Sequence, residues 1–267
     1  MTNEVFPKFG SSEHAAIIDD QFTRQAAGFA AAPELHNDAV LALLVEAGRP
    51  QCTDRMIDVA CGPGTVVAAF SPHVERATGL DATPAMLAEA NAFATAKALA
   101  NVDWQPGSAY ELPYAAATFD IVVSRFAFHH LEDPRAAFTE MVRVTSPGGR
   151  IVLCDAVASD DSAKAAAFNA MERWRDPSTV EFRTLGFLRG LFQDANLGSP
   201  GMARFQVPYL ARKLVAGSFP ARDNRAGLLK VIEDSVNGDL LGMNARSEYD
   251  GVHIAFQAVI LSVAKVR

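Results

Sequence analysis

The segment Met56-Ile57-Asp58-Val59-Ala60-Cys61-Gly62-Pro63-Gly64-Thr65 joins a short apolar run to a pair of glycines. Glycines at the end of a strand let the backbone turn tightly and approach a ligand closely, so a nucleotide-like occupant is the first expectation. A dinucleotide fingerprint would require glycine at position 67, where Val67 stands, and it places no acid four residues ahead of its first glycine as Asp58 does here. A phosphate loop would continue into Lys-Ser or Lys-Thr, but Thr65-Val66-Val67 offers no lysine, which sets ATP and GTP aside. Asp81 lies nineteen positions after Gly62, about where a carboxylate would accept hydrogen bonds from the two hydroxyls of a ribose. Ribose recognition without a phosphate-binding apparatus suggests S-adenosylmethionine (SAM). A second cluster, His129, His130 and Asp155, has the residue types for proton transfer, since imidazole titrates near neutral pH and a carboxylate orients and charges it.

These side chains need elements to hold them. The apolar run 56–60 reads as a strand and 65–70 as the start of a helix; 77–80 reads as a second strand ending at Asp81 and followed by a helix over 83–100, with Thr83 at the N-cap and Pro84 at the first helical position. Strands follow at 102–105 and 119–125, then an amphipathic helix over 134–144, the turn Pro147-Gly148-Gly149 and a strand over 150–156. Alternating strands and helices predict a parallel sheet whose ligands bind at the C-terminal strand ends. Strands four and five are neighbours in such a sheet, which brings Asp155 near His129 and His130. Ahead of this core, residues 12–48 carry apolar positions at helical spacing, including Ile17, Phe22, Phe29, Val40 and Leu44, in two helices separated by Pro33. Beyond Val157 the pattern gives helices over 163–174 and 185–195, a strand over 203–209, a mixed stretch 209–250 read as an insertion or lid, and a closing strand over 252–264. The expected organisation is a single domain with its core at about 50–208 plus 251–267, a helical cap at 12–48 and the insertion at 209–250.

The chain has 267 residues, 24 Lys+Arg against 31 Asp+Glu, a formal charge of −7 and 49% hydrophobic residues. That is enough apolar material for a full core and the wrong charge for a nucleic-acid binder, which needs a basic face. The longest apolar stretch, 252–264, is broken by His253 and Gln257 and falls short of the ~18–20 residues of a membrane helix. Residues 1–12 lack the cationic start and apolar stretch of a secretory signal, so the expected location is the cytoplasm. Cys52, Cys61 and Cys154 form no CxxC pair and read as free thiols, with no metal site indicated. His14, His36, His73 and His253 have no evident partners in the sequence.

Taken together, Asp58-Val-Ala-Cys-Gly-Pro-Gly-Thr, Gly79-Leu-Asp-Ala-Thr-Pro-Ala-Met-Leu, Leu112-Pro-Tyr, Phe119-Asp-Ile-Val-Val-Ser-Arg-Phe-Ala-Phe-His-His-Leu-Glu-Asp-Pro and Pro147-Gly-Gly-Arg resemble class I SAM-dependent methyltransferases of the ubiquinone/menaquinone-methylase-like branch, methyltransferase type 11. The likeness covers roughly 20–156, and Arg175-Asp-Pro-Ser extends it. It implies a Rossmann-like α/β fold with a seven-stranded, mostly parallel sheet flanked by helices, N-terminal helices and a C-terminal helical lid. It places Asp58, Ala60, Gly62 and Gly64 around the methionine part of SAM, Asp81 on the ribose, and Ala82 and Met86 against the adenine. Gly107-Ser108-Ala109 stands where the branch often has Gly-Asp-Ala, so Ser108, followed by Ala109, takes over the adenine amino group; Arg125 completes the cofactor set. Phe22, Gln25 and Phe29 fall where an N-terminal helix covers the cofactor, although Met86 equally suits an ordinary core position and phenylalanines such as Phe22 and Phe29 are more often core residues. Departing from the branch, Thr179 stands where His often follows the Ser.

The activity implied is methylation of a small molecule, with oxygen as the expected acceptor atom and carbon or nitrogen as alternatives. His129 would be the general base with Asp155 orienting it, resembling the His/Asp pairs of some natural-product O-methyltransferases, and His130 the second choice. The bland alternative is that the His pair holds its turn through backbone hydrogen bonds while Asp155 caps the next segment. The acceptor pocket is expected between the N-terminal helices and the aromatic-rich region after Val157. The rivals are C-methylation of a quinone-like ring, which no basic amphipathic helix supports, and a non-catalytic SAM-binding partner subunit, which the intact Asp58, Gly62, Gly64 and Asp81 disfavour. The sequence admits a homodimer without choosing an oligomeric state.

Overall fold

Strands buried on both faces of a parallel sheet read as nearly continuous apolar runs. In the computed structural model, which describes residues 12–33 and 36–266, such runs form β1 (Arg55–Val59), β2 (Arg76–Asp81), β4 (Phe119–Arg125) and β5 (Thr145–Ala156), with the less buried β3 (Val102–Pro106) between β2 and β4 in sequence. Two helices precede the sheet, α1 (Ser12–Ala31) and α2 (Asp38–Gly48), and α3 (Thr65–Phe70), α4 (Pro84–Ala96) and α5 (Pro134–Val144) connect its strands. Then come α6 (Ser162–Arg175), α7 (Leu185–Asp194), β6 (Gly201–Leu210), α8 (Ala211–Ala216), α9 (Arg225–Asp234), β7 (Arg246–Glu248) and β8 (Gly251–Ala264).

The strand order is β3-β2-β1-β4-β5-β8-β6, with β7 pairing to β8 off this path. The first five strands are mutually parallel; β8 runs antiparallel between β5 and β6. The expected seven strands are the seven of the path, and the eighth is the three-residue β7, a hairpin partner of β8 too short to leave a periodicity. The chain leaves β1 toward β2 on one side and returns at β4 on the other, which opens a crevice at the carboxyl ends of β1 and β4.

Some boundaries differ from the sequence reading. Helix α4 ends at Ala96 rather than 100, where Ala98 adopts φ 52. Strand β5 begins at Thr145, ahead of the glycine turn, because Thr145 pairs with Phe119 across a register shift and Gly148 and Gly149 exchange backbone hydrogen bonds with Lys265. Residues 209 and 210 belong to β6.

The central core packs Ile57, Val59, Leu80, Val122, Phe128, Phe138, Met141 and Phe192 together. A second core joins Phe168, Met171 and Phe182 to Leu228, Ile232, Leu241 and Met243, so much of the apolar surface after Val157 is spent on holding α6, α8 and α9 over the β5–β8–β6 end of the sheet. Among the described residues no helix is long and apolar enough to cross a membrane. Residues 1–11, which bear on the secretory-signal reading, lie outside the described residues.

Candidate active site

From the end of β1 the chain passes through Ala60 (φ 60), Gly62 (φ 51) and Gly64 (φ 80) into α3. The two glycines serve different ends. A Cβ on Gly62 would meet nothing within 4 Å, because a cavity of ≈ 220 Å³ lies there. A Cβ on Gly64 would stand 2.6 Å from the Trp104 ring and 3.0 Å from Ala90. Gly64 is not on the cavity wall; its missing side chain makes room for Trp104 and permits the left-handed entry to the helix.

The cavity collects the remaining residues expected around a cofactor. The β1 end supplies Asp58, Ala60 and Gly62; the β2 end supplies Asp81 and Ala82, with Met86 one turn into α4. The loop after β3 supplies Ser108 and Ala109, β4 supplies Arg125, and α1 covers the opening with Phe22 and Phe29. Asp81 is fixed by two backbone donors: the Gly62 N–H gives to Oδ2 at 2.8 Å and the Thr83 N–H to Oδ1 at 2.9 Å. Each oxygen keeps a lone pair for a ligand hydroxyl. Burial pushes the Asp81 carboxyl above the ordinary carboxylate range, against the pull of these N–H groups. Ser108 Oγ accepts from the Tyr110 N–H at 3.2 Å, leaving its hydroxyl hydrogen and a second lone pair for the cavity.

Asp58 is held less completely. Its Oδ1 is buried with no hydrogen-bond partner. Burial drives its pKa well above the usual range, Arg125 opposes that and Asp81 adds to it. Arg125 is itself buried, reaches Thr65 Oγ1 at 3.4 Å and lies over the Phe126 ring at 5.1 Å. A buried carboxylate oxygen without a partner is unfavourable by itself and suits a ligand that brings its own positive charge.

His129 and His130 share one helical turn at Phe128–His130 with ring centroids 4.1 Å apart and equal exposure of 8%. Their surroundings differ. His129 Nδ1–H donates to Asp155 Oδ1 at 2.7 Å, its backbone N–H donates to Oδ2 at 3.1 Å, and its ring stacks on Phe182 at 4.1 Å and 12°. The structure thus brings His129 and Asp155 together, yet neither lines the cavity. His130 does line it, with the edge of Phe22 packed at 4.9 Å. His14 of α1 lines the same cavity and donates from Nε2 to the His130 carbonyl at 2.8 Å, a contact across 116 residues that no local pattern encodes. Sequence reasoning also passed over Asp176 and Ser178, which sit beside His130; their signal was the Arg175-Asp-Pro-Ser segment. Of the aromatics after Val157, Phe168 is in the second core and Phe192 in the central one.

The family model of the methyltransferase domain matches residues 57–153. In sequence the chain is 34% identical over 168 residues to the uncharacterized methyltransferase YcgJ of Bacillus subtilis, an alignment covering 63% of this chain and 66% of that protein. It is 36% identical over 109 residues to the ubiquinone/menaquinone biosynthesis C-methyltransferase UbiE of Roseobacter denitrificans, covering 40% and 44%. The crystal structure of YcgJ superposes with a TM-score of 0.77 at 27% identity over 86% of this chain and 100% of that one. A putative methyltransferase from Bacillus halodurans shares the fold with a TM-score of 0.78 at 22% identity, covering 86% and 100%. Residues 57–153 are a methyltransferase domain, and the chain is similar to YcgJ and UbiE in sequence and to methyltransferases in fold. The sequence alignments span 66% and 44% of those two curated relatives' lengths.

Proposed function

We propose that this protein transfers a methyl group from SAM to a small-molecule acceptor, releasing S-adenosylhomocysteine (SAH), with an oxygen as the acceptor atom. The observation that carries the reading is Asp58: a buried carboxylate whose Oδ1 has no partner, on the wall of a cavity that also presents Asp81. Asp58 suits the ammonium of the methionine part, and Asp81, braced by two N–H groups, suits the ribose hydroxyls. Met86 and Ala82 would flank the adenine, with Ser108 at its amino group and Phe29 closing over it. When bound, SAM supplies a methyl carbon made electrophilic by the adjoining sulfonium. The chain's own work is then to hold the acceptor in line with that carbon, keep water out beneath α1, and take up the acceptor's proton.

The relative UbiE is a C-methyltransferase by name, and the same cavity would serve carbon as an acceptor provided the proton has somewhere to go. The cytoplasmic location, the absence of nucleic-acid partners and the single-domain division with a cap at 12–48 and a lid at 209–250 belong to the same proposal.

Calorimetric titration with SAM and SAH on wild type and Asp81→Ala tests it. Loss of the ribose contacts at about 1.5–3 kcal/mol each weakens binding by about a hundredfold or more. A wild type that binds neither ligand would overturn the methyltransferase reading.

A further inference from the structure

His130, on the cavity wall, lies beside buried polar groups of a distant segment. Asp176 and Ser178 are 2% and 0% exposed, and they lie in the segment that follows α6. His130 Nδ1 is 3.1 Å from Ser178 Oγ, and Ser178 Oγ is 2.5 Å from Asp176 Oδ1. A serine has one hydroxyl hydrogen. Given to the carboxylate, it leaves the serine oxygen as an acceptor toward the imidazole, so Nδ1 must carry the ring hydrogen and Nε2 must carry the lone pair. Asp176 Oδ1 also takes the Ser178 N–H at 3.0 Å, and the Gln25 amide of α1 approaches Oδ2 at 3.4 Å. The segment is anchored from the other side, where the N–H groups of Val180 and Glu181 both donate to the His129 carbonyl at 2.9 and 3.0 Å. Burial, and then the neighbouring His129, pushes the His130 pKa down to about 3, so its ring rests neutral. The comparison with His129 decides between the two rings. His129 is committed to Asp155 and to the face of Phe182, while Asp155 is further occupied by the Ala156 N–H at 2.7 Å.

We propose that Asp176 and Ser178 are positioning residues that lock His130 in the Nδ1–H tautomer and present its Nε2 lone pair to the cavity as the proton acceptor for the methyl acceptor. The inference rests on the methyl-transfer reading above. As the acceptor atom bonds to the methyl carbon, the carbon–sulfur bond breaks with its electron pair left on sulfur, and the acceptor's proton passes to Nε2. The imidazolium formed is compensated through Ser178 by the Asp176 carboxylate, the arrangement that makes a weakly basic ring competent at the moment of transfer. His129 and Asp155 then hold the turn that aims His130.

The test is imidazole ¹⁵N NMR on the full chain at neutral pH with SAH present, the His130 signals being assigned by their loss in His130→Gln. Wild type is expected to show a protonated Nδ1 and an unprotonated Nε2 on His130. Ser178→Ala should release the ring to a mixture of tautomers or to the Nε2–H form, and Ser178→Thr, which restores the hydroxyl, should return the wild-type pattern. A wild-type His130 in the Nε2–H form overturns the proposal, as does an Nδ1–H form that persists unchanged in a folded Ser178→Ala. If that variant does not fold, the wild-type tautomer alone decides. SAH titration of the same samples separates the two levels: binding retained within about threefold in Ser178→Ala together with an unchanged tautomer removes the relay and leaves the cofactor site standing, whereas absence of SAH binding to wild type removes the methyl-transfer reading itself.

Discussion

Asp58 and Asp81 stand on neighbouring parallel strands, paired through the registers Asp58↔Gly79 and Val59↔Leu80, and Asp81 is fixed by backbone N–H groups within nineteen residues of it. The opposite wall is assembled differently. His130 takes its partner from a segment 48 residues downstream and its carbonyl's donor from a helix 116 residues upstream. One wall is made by a local strand–turn–helix unit that folds the same way wherever it occurs; the other is made by tertiary contacts among three elements. The first kind suits recognition of an invariant cofactor, and the second suits an acceptor that differs from one methyltransferase to the next.

The contrast is broken most strongly at the glycines. Gly64→Ala puts a Cβ against Trp104 in a left-handed backbone conformation, combining overpacking with conformational strain for a loss of about 3 kcal/mol of stability. Gly62→Ala adds a methyl to open space, so only the strain of about 1 kcal/mol remains, but the methyl enters the cavity and SAH binding falls. Denaturant unfolding and SAH titration on both variants should show the two effects crossing over. Equal stability losses would mean that the turn acts as one unit rather than as a packing half and a ligand half.

How much of this could be read beforehand follows from the same difference. The strand ends carrying Asp58, Asp81 and Arg125 were legible because each closes an apolar run next to a turn or helix start, and the right side of the cavity follows from sheet topology alone. Pairing of His129 with Asp155 was legible for the same reason, since β4 and β5 adjoin. Which of the two rings faces the cavity was not: two adjacent histidines on one turn look alike in sequence, and only the fold turns His129 toward Phe182 and His130 toward the cavity. The packing of Gly64 against Trp104 was not legible either, since Trp104 sits on a strand 40 positions away with no pattern linking them. Likewise the aromatic-rich region after Val157 suggests a pocket by composition, which cannot say that Phe168 packs with Leu228 and Ile232 of α9 in a core.

A smaller effect is expected at His129. His129→Ala removes the stack on Phe182 and one hydrogen bond to a buried carboxylate, while Asp155 keeps the backbone donors of residues 129 and 156. The loss is about 2 kcal/mol in unfolding free energy, with SAH affinity nearly unchanged. A collapse of affinity without loss of stability would instead place His129 at the ligand and reverse the division between the two histidines.

Asp58 gives the smallest and most diagnostic effect, because it trades stability against binding. Its carboxyl is raised by burial, so between the ordinary carboxylate range and that raised value the folded protein holds more protons than the unfolded chain, and stability of the ligand-free protein declines as pH rises through the raised pKa. A cationic ligand group beside Oδ1 favours the ionised form. SAH affinity should therefore be full above the raised pKa and fall by up to about tenfold per pH unit below it, with proton uptake from buffer reversed in sign relative to binding, that is, protons released on association. Arg125, Asp81 and Cys61 share this surrounding, and the raised Asp81 adds a slope of its own. Asp58→Asn isolates the contribution: it should weaken SAH binding and flatten the pH dependence to what Asp81 leaves, while the melting temperature at neutral pH stays level or rises, since a buried carboxylate with an unpartnered oxygen has been removed. A variant that binds SAH as wild type does, with the same pH slope, would show that the unpartnered oxygen is not where the ligand's charge sits, and the local wall would lose the residue on which its reading rests.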